Sequence, residues 1–280
     1  MNTKSLVVAL CVIPLFAFAD PNSQDRGAAL RALDWHIGPQ VESVAGKALL
    51  KTPDAETLFL DEANSKKFLE LTGNLPSPGN YIVLSRKSDW WASLSFSPIG
   101  YVKDDEKIDS DALLKQLKDS DGPANEERKR RGMPALYTES WYIPPHYDPQ
   151  TKRLEWGVKL RSEGEVALNY TIRLLGRTGV MNATLVSSPE TLNADVISFK
   201  QLLGGFEFNS GERYSEFKEG DHVAEYGLAA LIAGGAAAVA AKKGLWAVIG
   251  GFLAGAWKLV AAAVIAGLAG LRALFKRKEN

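Results

Sequence analysis

The long apolar segment near the C-terminus constrains the fold more than any other feature of this sequence. Residues 228–271 contain no Asp or Glu, and their only charged side chains are Lys242, Lys243 and Lys258. Four cationic side chains follow, at Arg272, Lys276, Arg277 and Lys278. About 20 apolar residues suffice to cross a bilayer, and cationic residues mark the cytoplasmic flank of a span. The pattern therefore predicts a membrane-anchoring tail over residues 227–280, with its basic end in the cytoplasm.

Three arrangements of this tail are compatible with its charges. Residues 244–271 are long enough for one span, although Lys258 would lie near its middle. A central lysine costs about 2.5–3.5 kcal/mol on insertion, which the apolar residues of the window roughly offset. The alternatives are a hairpin that turns at Lys242 and Lys243, and an amphipathic or buried tail that does not cross. We favour one span, with residues 228–241 as a surface or re-entrant helix.

Aromatic and small residues of the tail suggest contacts within the membrane. Trp246 and Trp257 are typical of interface or packing anchors. Gly251 and Gly255 form a Gly-x-x-x-Gly motif, which lets membrane helices approach closely. We expect the lipid bilayer as one partner, and a second copy of the chain or another envelope protein as a further one.

The first 19 residues have the pattern of a secretory signal peptide. Lys4 precedes an apolar run over residues 6–18, and Ala17 and Ala19 form a small-x-small cleavage site. Cys11, the single cysteine, would leave with this peptide. The mature chain would then have no thiol for catalysis or disulfide formation.

The net charge of zero conceals two oppositely charged parts. Residues 20–226 carry 25 Lys+Arg and 32 Asp+Glu, a net charge of −7, whereas residues 227–280 carry seven and one, a net charge of +6. Nucleic-acid-binding domains are usually basic, so the acidic body argues against a nucleic-acid partner. About 207 exported residues are enough for one large or two small domains.

Hydrophobic periodicity predicts an α+β fold for residues 20–226, an antiparallel sheet with helices packed on one side. The predicted strands are 44–51 and 56–60 as one pair, 81–85, 90–97, 137–143, 154–161, 167–175, 180–187 and 207–214. The predicted helices are 26–33, 61–71 with Asp61 as N-cap, 110–118, 125–131 and 191–203. Pro144 and Pro145 are expected to end the strand that precedes them.

Two segments are candidates for a binding surface. Residues 141–148, which include Trp141, Tyr142, His146, Tyr147 and Asp148, combine aromatic, proline, histidine and acidic residues in a short stretch. They could form a rigid aromatic lip for a ligand, or a strand-to-loop corner that fills the core.

The second candidate contains Asn169, Arg173 and Arg177. Asn169, Thr171 and Arg173 share one face of a predicted strand because side chains alternate. Such a polar row is either solvated or one wall of a cleft. Arg177, in the following turn, could bind an anion or pair with an acidic residue.

The sequence contains no established catalytic or metal-binding motif. The three histidines, at 36, 146 and 222, include no His-Glu-x-x-His pair, and there is no Gly-x-Ser-x-Gly elbow. We expect no metal and no cofactor. The enzymatic alternative is an envelope hydrolase with His146 as general base, oriented by Asp148.

An ordered set of short motifs resembles a bacterial family of uncharacterised, membrane-anchored proteins. The motifs are residues 100–105, 125–128, 145–148, 169–170, 175–179, 208–214 and 224–228. The family is a domain of unknown function with a signal peptide and a C-terminal hydrophobic anchor. The resemblance implies placement in the Gram-negative envelope, and it supplies no activity.

Together these features predict a protein of the bacterial inner membrane with its main domain in the periplasm. We expect that domain to bind a partner or ligand without catalysis. A second alternative, besides the hydrolase, is that the tail itself assembles helices in the membrane.

Overall fold

The computed structural model describes residues 23–88 and 90–233. The predicted signal peptide lies outside this part of the chain. So does the tail from residue 234 onward, including Trp246, Gly251, Gly255, Trp257 and Lys258. Within residues 23–88 and 90–233, no helix is both long enough and apolar enough to span a bilayer.

Antiparallel strands form the framework of the described chain, as the periodicity predicts. The large sheet has eight strands in the order β1-β4-β5-β6-β10-β9-β8-β7. Their bounds are β1 His36–Ile37, β4 Thr57–Leu60, β5 Asn80–Ser85, β6 Trp90–Ser97, β7 Tyr137–Asp148, β8 Arg153–Ser162, β9 Glu165–Leu175 and β10 Val180–Ser187. α2 lies between β4 and β5 in the chain, and a short connection joins β5 to β6. β7 through β10 follow one another as a meander.

A second sheet contains β2 Gln40–Val44, β3 Ala48–Thr52 and β11 Phe206–Phe208, in the order β11-β3-β2. The predicted pairing of residues 44–51 with 56–60 is wrong. The chain reverses earlier, at Ala45 and Gly46, which both have positive φ, so β3 pairs back onto β2. β4 then leaves for the large sheet, where it pairs with β1 and β5.

Both faces of the large sheet are covered, whereas the sequence pattern predicts helices on one side only. One face, here called the α4 face, packs against α4 (Leu192–Leu202) and the small sheet. The opposite α2 face packs against α2 (Glu62–Leu71) and α1 (Ser23–Arg31) at the β4–β5 side. The reason lies in β4 and β5, which have apolar residues on both faces: Phe59 and Val83 belong to the core under α4, whereas Leu60 and Ile82 pack against α2.

A single 21-residue helix, α3 (Ser110–Arg130), replaces the two predicted helices 110–118 and 125–131. Asp109 caps it by accepting a hydrogen bond from the Ala112 amide at 3.0 Å. Pro123 lies inside the helix, where it removes one backbone donor without ending the helix. The helix lies along β7, and the Asp121 carboxylate accepts hydrogen bonds from the Thr138 amide and hydroxyl.

The segment after β11 is mostly turn, although the sequence pattern predicts a strand to residue 214. A short 3-10 helix covers Tyr214–Glu216, and the Glu216 carboxylate accepts from the amides of Gly211 and Arg213 at 2.8 and 2.9 Å. These side-chain bonds replace a strand ladder. Further on, the Tyr101 amide donates to the His222 carbonyl at 2.8 Å, which joins this segment to the chain after β6. The last described helix is α5, Leu228–Ile232.

Candidate binding site

The two predicted candidate segments do not form one surface in the structure. Residues 141–148 are the second half of β7, an edge strand whose register is irregular on both sides of Ile143. Trp141 and Tyr147 lie on the α2 face of the sheet. Tyr142 and His146 lie on the side of the α4 face, where the Tyr142 hydroxyl donates to the Asn193 side chain at 3.2 Å.

Trp141 and Tyr147 hold neighbouring backbone segments in place. The Trp141 indole donates to the Ser110 carbonyl at 2.9 Å, at the start of α3. The Tyr147 hydroxyl donates to Asp104 Oδ2 at 2.6 Å, and Lys152 donates to the same oxygen at 2.8 Å. Burial, reinforced by the bond to Asp104, raises the pKa of the Tyr147 phenol, so it remains a neutral donor. Both aromatic side chains therefore have a structural role, because they hold neighbouring segments of the chain against β7.

His146 faces Glu155, which belongs to a buried ionic cluster between β8 and α4. His146 Nε2 lies 3.8 Å from Glu155 Oε2, and the His146 side chain is 56% exposed. The Glu155 carboxylate also accepts from the Tyr170 hydroxyl, and from Lys200 Nζ at 2.6 Å. Because Lys200 is on α4, the cluster ties that helix to the sheet.

Asp148 has a separate role in the turn between β7 and β8. Its carboxylate accepts from the Gln150 amide at 2.9 Å and from the Thr151 hydroxyl at 2.7 Å. These two bonds lower the pKa of the Asp148 carboxylate, and the bond from the Thr151 hydroxyl has the larger effect. In the described structure the acidic partner of His146 is thus Glu155, and the His146–Asp148 pair of the hydrolase hypothesis is not assembled.

Arg177 pairs with an acidic residue, which is one of its two predicted alternatives. Its guanidinium donates to both carboxylate oxygens of Asp221, each at 2.7 Å, and to the Gly211 carbonyl at 3.3 Å. Asp221 also accepts from the Lys218 amide at 2.7 Å. The bond from Arg177, followed by that from Lys218, lowers the pKa of Asp221 to about 2. The pair fastens the turn segment after β11 to the β9–β10 hairpin.

Asn169 and Arg173 lie on the α2 face, where the strand register forms two polar rows, one that begins at Arg173 and one that passes through Thr171. Asn169 lies beside the second row, opposite Val158 and Val186. In the first row Arg173 of β9 is opposite Asn182 of β10, which is opposite Ser95 of β6 and, beyond it, Asn80 of β5. In the second row Trp156 of β8 is opposite Thr171 of β9, which is opposite Thr184 of β10 and, beyond it, Ser93 of β6. We call this group the polar platform; it comprises Asn80, Ser93, Ser95, Ser97, Trp156, Asn169, Thr171, Arg173, Asn182 and Thr184.

The polar platform lies between the parts of the α2 face that helices cover. α2 packs over Ile82 and Trp91 on one side, and α3 runs along β7 on the other. Its floor is buried: Asn80, Ser93, Thr171, Asn169 and Trp156 are each at most 6% exposed. Arg173, Asn182, Thr184, Ser95 and Ser97 keep partial solvent exposure. The accessible part is therefore polar and rests on the middle strands of a rigid sheet.

Neutral side chains of the platform mostly satisfy one another. The Asn182 amide donates to the hydroxyls of Ser97 at 2.8 Å and Ser95 at 3.3 Å. In the floor, the Ser93 hydroxyl donates to Asn80 Oδ1 at 2.8 Å. A hydroxyl that accepts from Asn182 can still donate to a ligand, because each hydroxyl both donates and accepts.

Arg173 is the charged group of the platform, and it has no acidic partner in the described structure. Its Cζ lies 5.3 Å from the centroid of the Trp156 ring, a cation–π contact. Burial lowers the pKa of the guanidinium to about 10, and no carboxylate of the described residues opposes this effect. A half-buried arginine is usually paired, since removing an isolated charge from water is costly.

Asn169 is the second unsatisfied group of the platform. Its side-chain oxygen is buried and has no hydrogen-bond partner, and the residue is 6% exposed. A buried acceptor without a donor costs about 1–3 kcal/mol. Asn169 and Arg173 are four residues apart on one strand face, or about 13 Å at the strand rise. The platform thus contains a free cation and a free acceptor at separate points.

The sequence pattern identified only the β9 part of this site. β6 has polar residues at alternate positions, Ser93, Ser95 and Ser97, and this period was a signal for a polar strand face. Asn182 and Thr184 alternate with apolar residues in β10 in the same way, whereas Trp156 has no such signal. Only the pairing of β8, β9, β10 and β6 brings these residues beside Arg173.

The described residues hold no group of three or more His, Cys, Asp and Glu side chains that could ligate a metal ion. The platform itself has no acidic residue and no histidine. Its donors are one guanidinium, amides and hydroxyls, which suit an anion and hydroxyl groups rather than a cation.

These features define an α+β domain with a two-faced antiparallel sheet and a polar patch on one face. The chain belongs to the family described as "Protein of unknown function (DUF2167)", whose model matches residues 38–268. No curated protein matches the chain. Among solved structures, it is similar to the solution structure of cyanobacterial PsbP (CyanoP) from Synechocystis sp. PCC 6803. That similarity has a TM-score of 0.36 at 11% identity, and it covers 61% of this chain and 92% of the other.

Proposed function

We propose that this chain is a membrane-anchored protein of the bacterial envelope whose periplasmic α+β domain binds an anionic ligand without catalysis. The apolar residues 6–18 and the cleavage pattern at Ala17 and Ala19 support export. The apolar segment 228–271 and the basic residues after it support anchoring in the inner membrane. The binding site in this proposal is the polar platform.

One observation carries the binding proposal: Arg173 is a half-buried cation without an acidic partner in the described structure. A structural arginine is expected to resemble Arg177, whose guanidinium is paired with Asp221 through two bonds of 2.7 Å. A carboxylate or phosphate would give Arg173 the same bidentate partner. The neutral donors beside it would fix the orientation of that ligand.

Anion-dependent stabilisation of the full-length protein in detergent tests this proposal. Acetate and phosphate are titrated against chloride at constant ionic strength, and Tm is measured for the wild type and Arg173→Met. The wild type should gain stability as RT ln(1 + [L]/Kd), about 2.7 kcal/mol at 100 times Kd. Arg173→Met should gain none.

Two comparisons separate a ligand-binding arginine from a structural one. Without added anion, Arg173→Met should be as stable as the wild type or more so, since it removes a half-buried charge that has no acidic partner among the described residues. Arg161→Met is the matched control; Arg161 lies on β8 and is paired with Glu139, so anions should stabilise this variant as they do the wild type. Equal stabilisation of the wild type and Arg173→Met would contradict the proposal.

A further inference from the structure

We infer that the ligand of the polar platform is a hydroxylated anion of the sugar-acid or sugar-phosphate class. This inference rests on the proposed anion site at Arg173 and assigns the rest of the ligand. It follows from what lies beside Arg173 in the first polar row, and from what the accessible surface lacks.

One charge and several neutral groups define the accessible surface. Arg173 is its only ionic side chain among the described residues of the platform. Asn182 and Ser95 continue the row on the next two strands, so the row extends about 10 Å from Arg173 at the usual strand spacing. The matching ligand carries negative charge at one end and is neutral and polar along the remaining length.

Hydroxyl and amide groups recognise hydroxyl groups well because both can donate and accept. Ser95 and Ser97 each accept from the Asn182 amide, so each hydroxyl keeps a proton that it can donate. Thr184 adds a third hydroxyl, 3.4 Å from that of Thr171 in the floor. A sugar ring or an open polyol presents hydroxyls at comparable intervals.

The platform offers little to a nucleotide or to an extended peptide. Trp156, the aromatic residue of the platform, is 4% exposed and lies against the Arg173 guanidinium, so it offers no free ring on which a nucleobase could stack. The site is on the middle strands of a sheet, so an extended peptide could not pair with strand edges there. A nucleotide or a peptide is therefore a poorer match than a sugar derivative.

Calorimetric titration of the full-length protein in detergent tests the inference with matched probes. Glucuronate is compared with acetate, glucose 6-phosphate with inorganic phosphate, and glucose serves as the uncharged reference. We expect at least one charged sugar to bind about tenfold or more tightly than its simple anion, and glucose to bind at least tenfold more weakly than that sugar. Whichever of glucuronate and glucose 6-phosphate binds more tightly identifies the anionic group of the ligand as a carboxylate or a phosphate.

Conservative variants locate the sugar contacts. Ser95→Ala and Thr184→Val remove hydroxyls with little change of shape. Each should weaken the binding of the charged sugar by about 2- to 10-fold and leave the affinity for the simple anion unchanged. Ser43→Ala, an exposed serine on β2 of the small sheet, should change neither.

The results separate the two proposals. If the sugar and its simple anion bind equally and Arg173→Met abolishes both, the sugar inference is wrong and the anion site stands. If Arg173→Met binds all probes as the wild type does, both proposals are wrong. Weaker binding of the sugar than of its simple anion would also overturn the inference.

Discussion

Adjacent tryptophans show how single residues define the two faces of the large sheet. Trp90 packs edge-to-face on Phe199 of α4, with ring centroids 5.8 Å apart. Trp91 points to the other face and packs on Phe68 of α2 at 5.1 Å. Because consecutive strand residues alternate, this pair requires a core on each side. The same alternation places Arg173 among polar residues and its neighbours Ile172 and Leu174 in the α4-face core.

At the residue scale, the Arg177–Asp221 pair should make stability depend on pH. The pKa of Asp221 is about 2 in the folded chain, below its ordinary value of 3.8. The pair therefore stabilises the fold fully above pH 3.8, and its contribution is lost as the pH falls toward about 2. We expect the wild type to be more stable than Asp221→Asn at neutral pH and the difference to shrink below about pH 4.

Urea unfolding of both proteins at several pH values measures this difference. Asp119→Asn is the control, because Asp119 pairs at the surface of α3 with the exposed Lys115, and such pairs contribute little. A wild-type advantage over Asp221→Asn that persists unchanged at pH 2 would show that the carboxylate charge is not responsible.

At the element scale, β7 shows where sequence rules depend on position in the sheet. Pro144 and Pro145 predict the end of a strand, yet β7 continues to Asp148. Proline removes a ladder donor, which an edge strand tolerates and a central strand does not. β7 is an edge strand, and its register shifts at these residues. Sequence alone did not reveal that β7 lies at the edge, so the rule was applied in the wrong context.

The proline pair should also protect this edge from pairing with other chains. The double variant Pro144→Thr, Pro145→Thr restores two amide donors on a 12-residue edge strand, so we expect faster self-association on mild heating. Light scattering at matched protein concentrations measures it. The control is Pro76→Thr, Pro78→Thr in the loop before β5, which should associate at the wild-type rate. A double β7 variant that stays monomeric as long as the wild type would count against this role.

At the scale of the whole molecule, hydropathy and charge predict a division of the chain into a signal peptide, an acidic body and a basic apolar tail. These divisions rest on runs of apolar residues and on charge, which are local properties. The order of the eight strands is a different kind of information. β6 pairs with β10, 83 residues or more along the chain, and the pairing brings the apolar residues of both strands into one core beneath α4.

The proposed placement predicts the location of both ends of the tail. A reporter fused after Asn280 should be active in the cytoplasm, as one span requires, and a reporter fused after residue 226 should be active in the periplasm. Periplasmic activity at Asn280 would indicate two crossings instead. Cytoplasmic activity at residue 226 would contradict export of the domain.

By itself, the sequence determined the α+β class, most strands of the large sheet and the polar face of β9, because each depends on side-chain periodicity along one segment. Only the tertiary structure decided that Asp148 caps a turn, that Arg177 pairs with Asp221 and that His146 faces Glu155. It also decided that Asn182, Thr184 and Ser95 extend the row begun by Arg173. Cross-strand register sets these contacts, and register follows from burying the apolar residues of several strands in one core, which no single segment specifies.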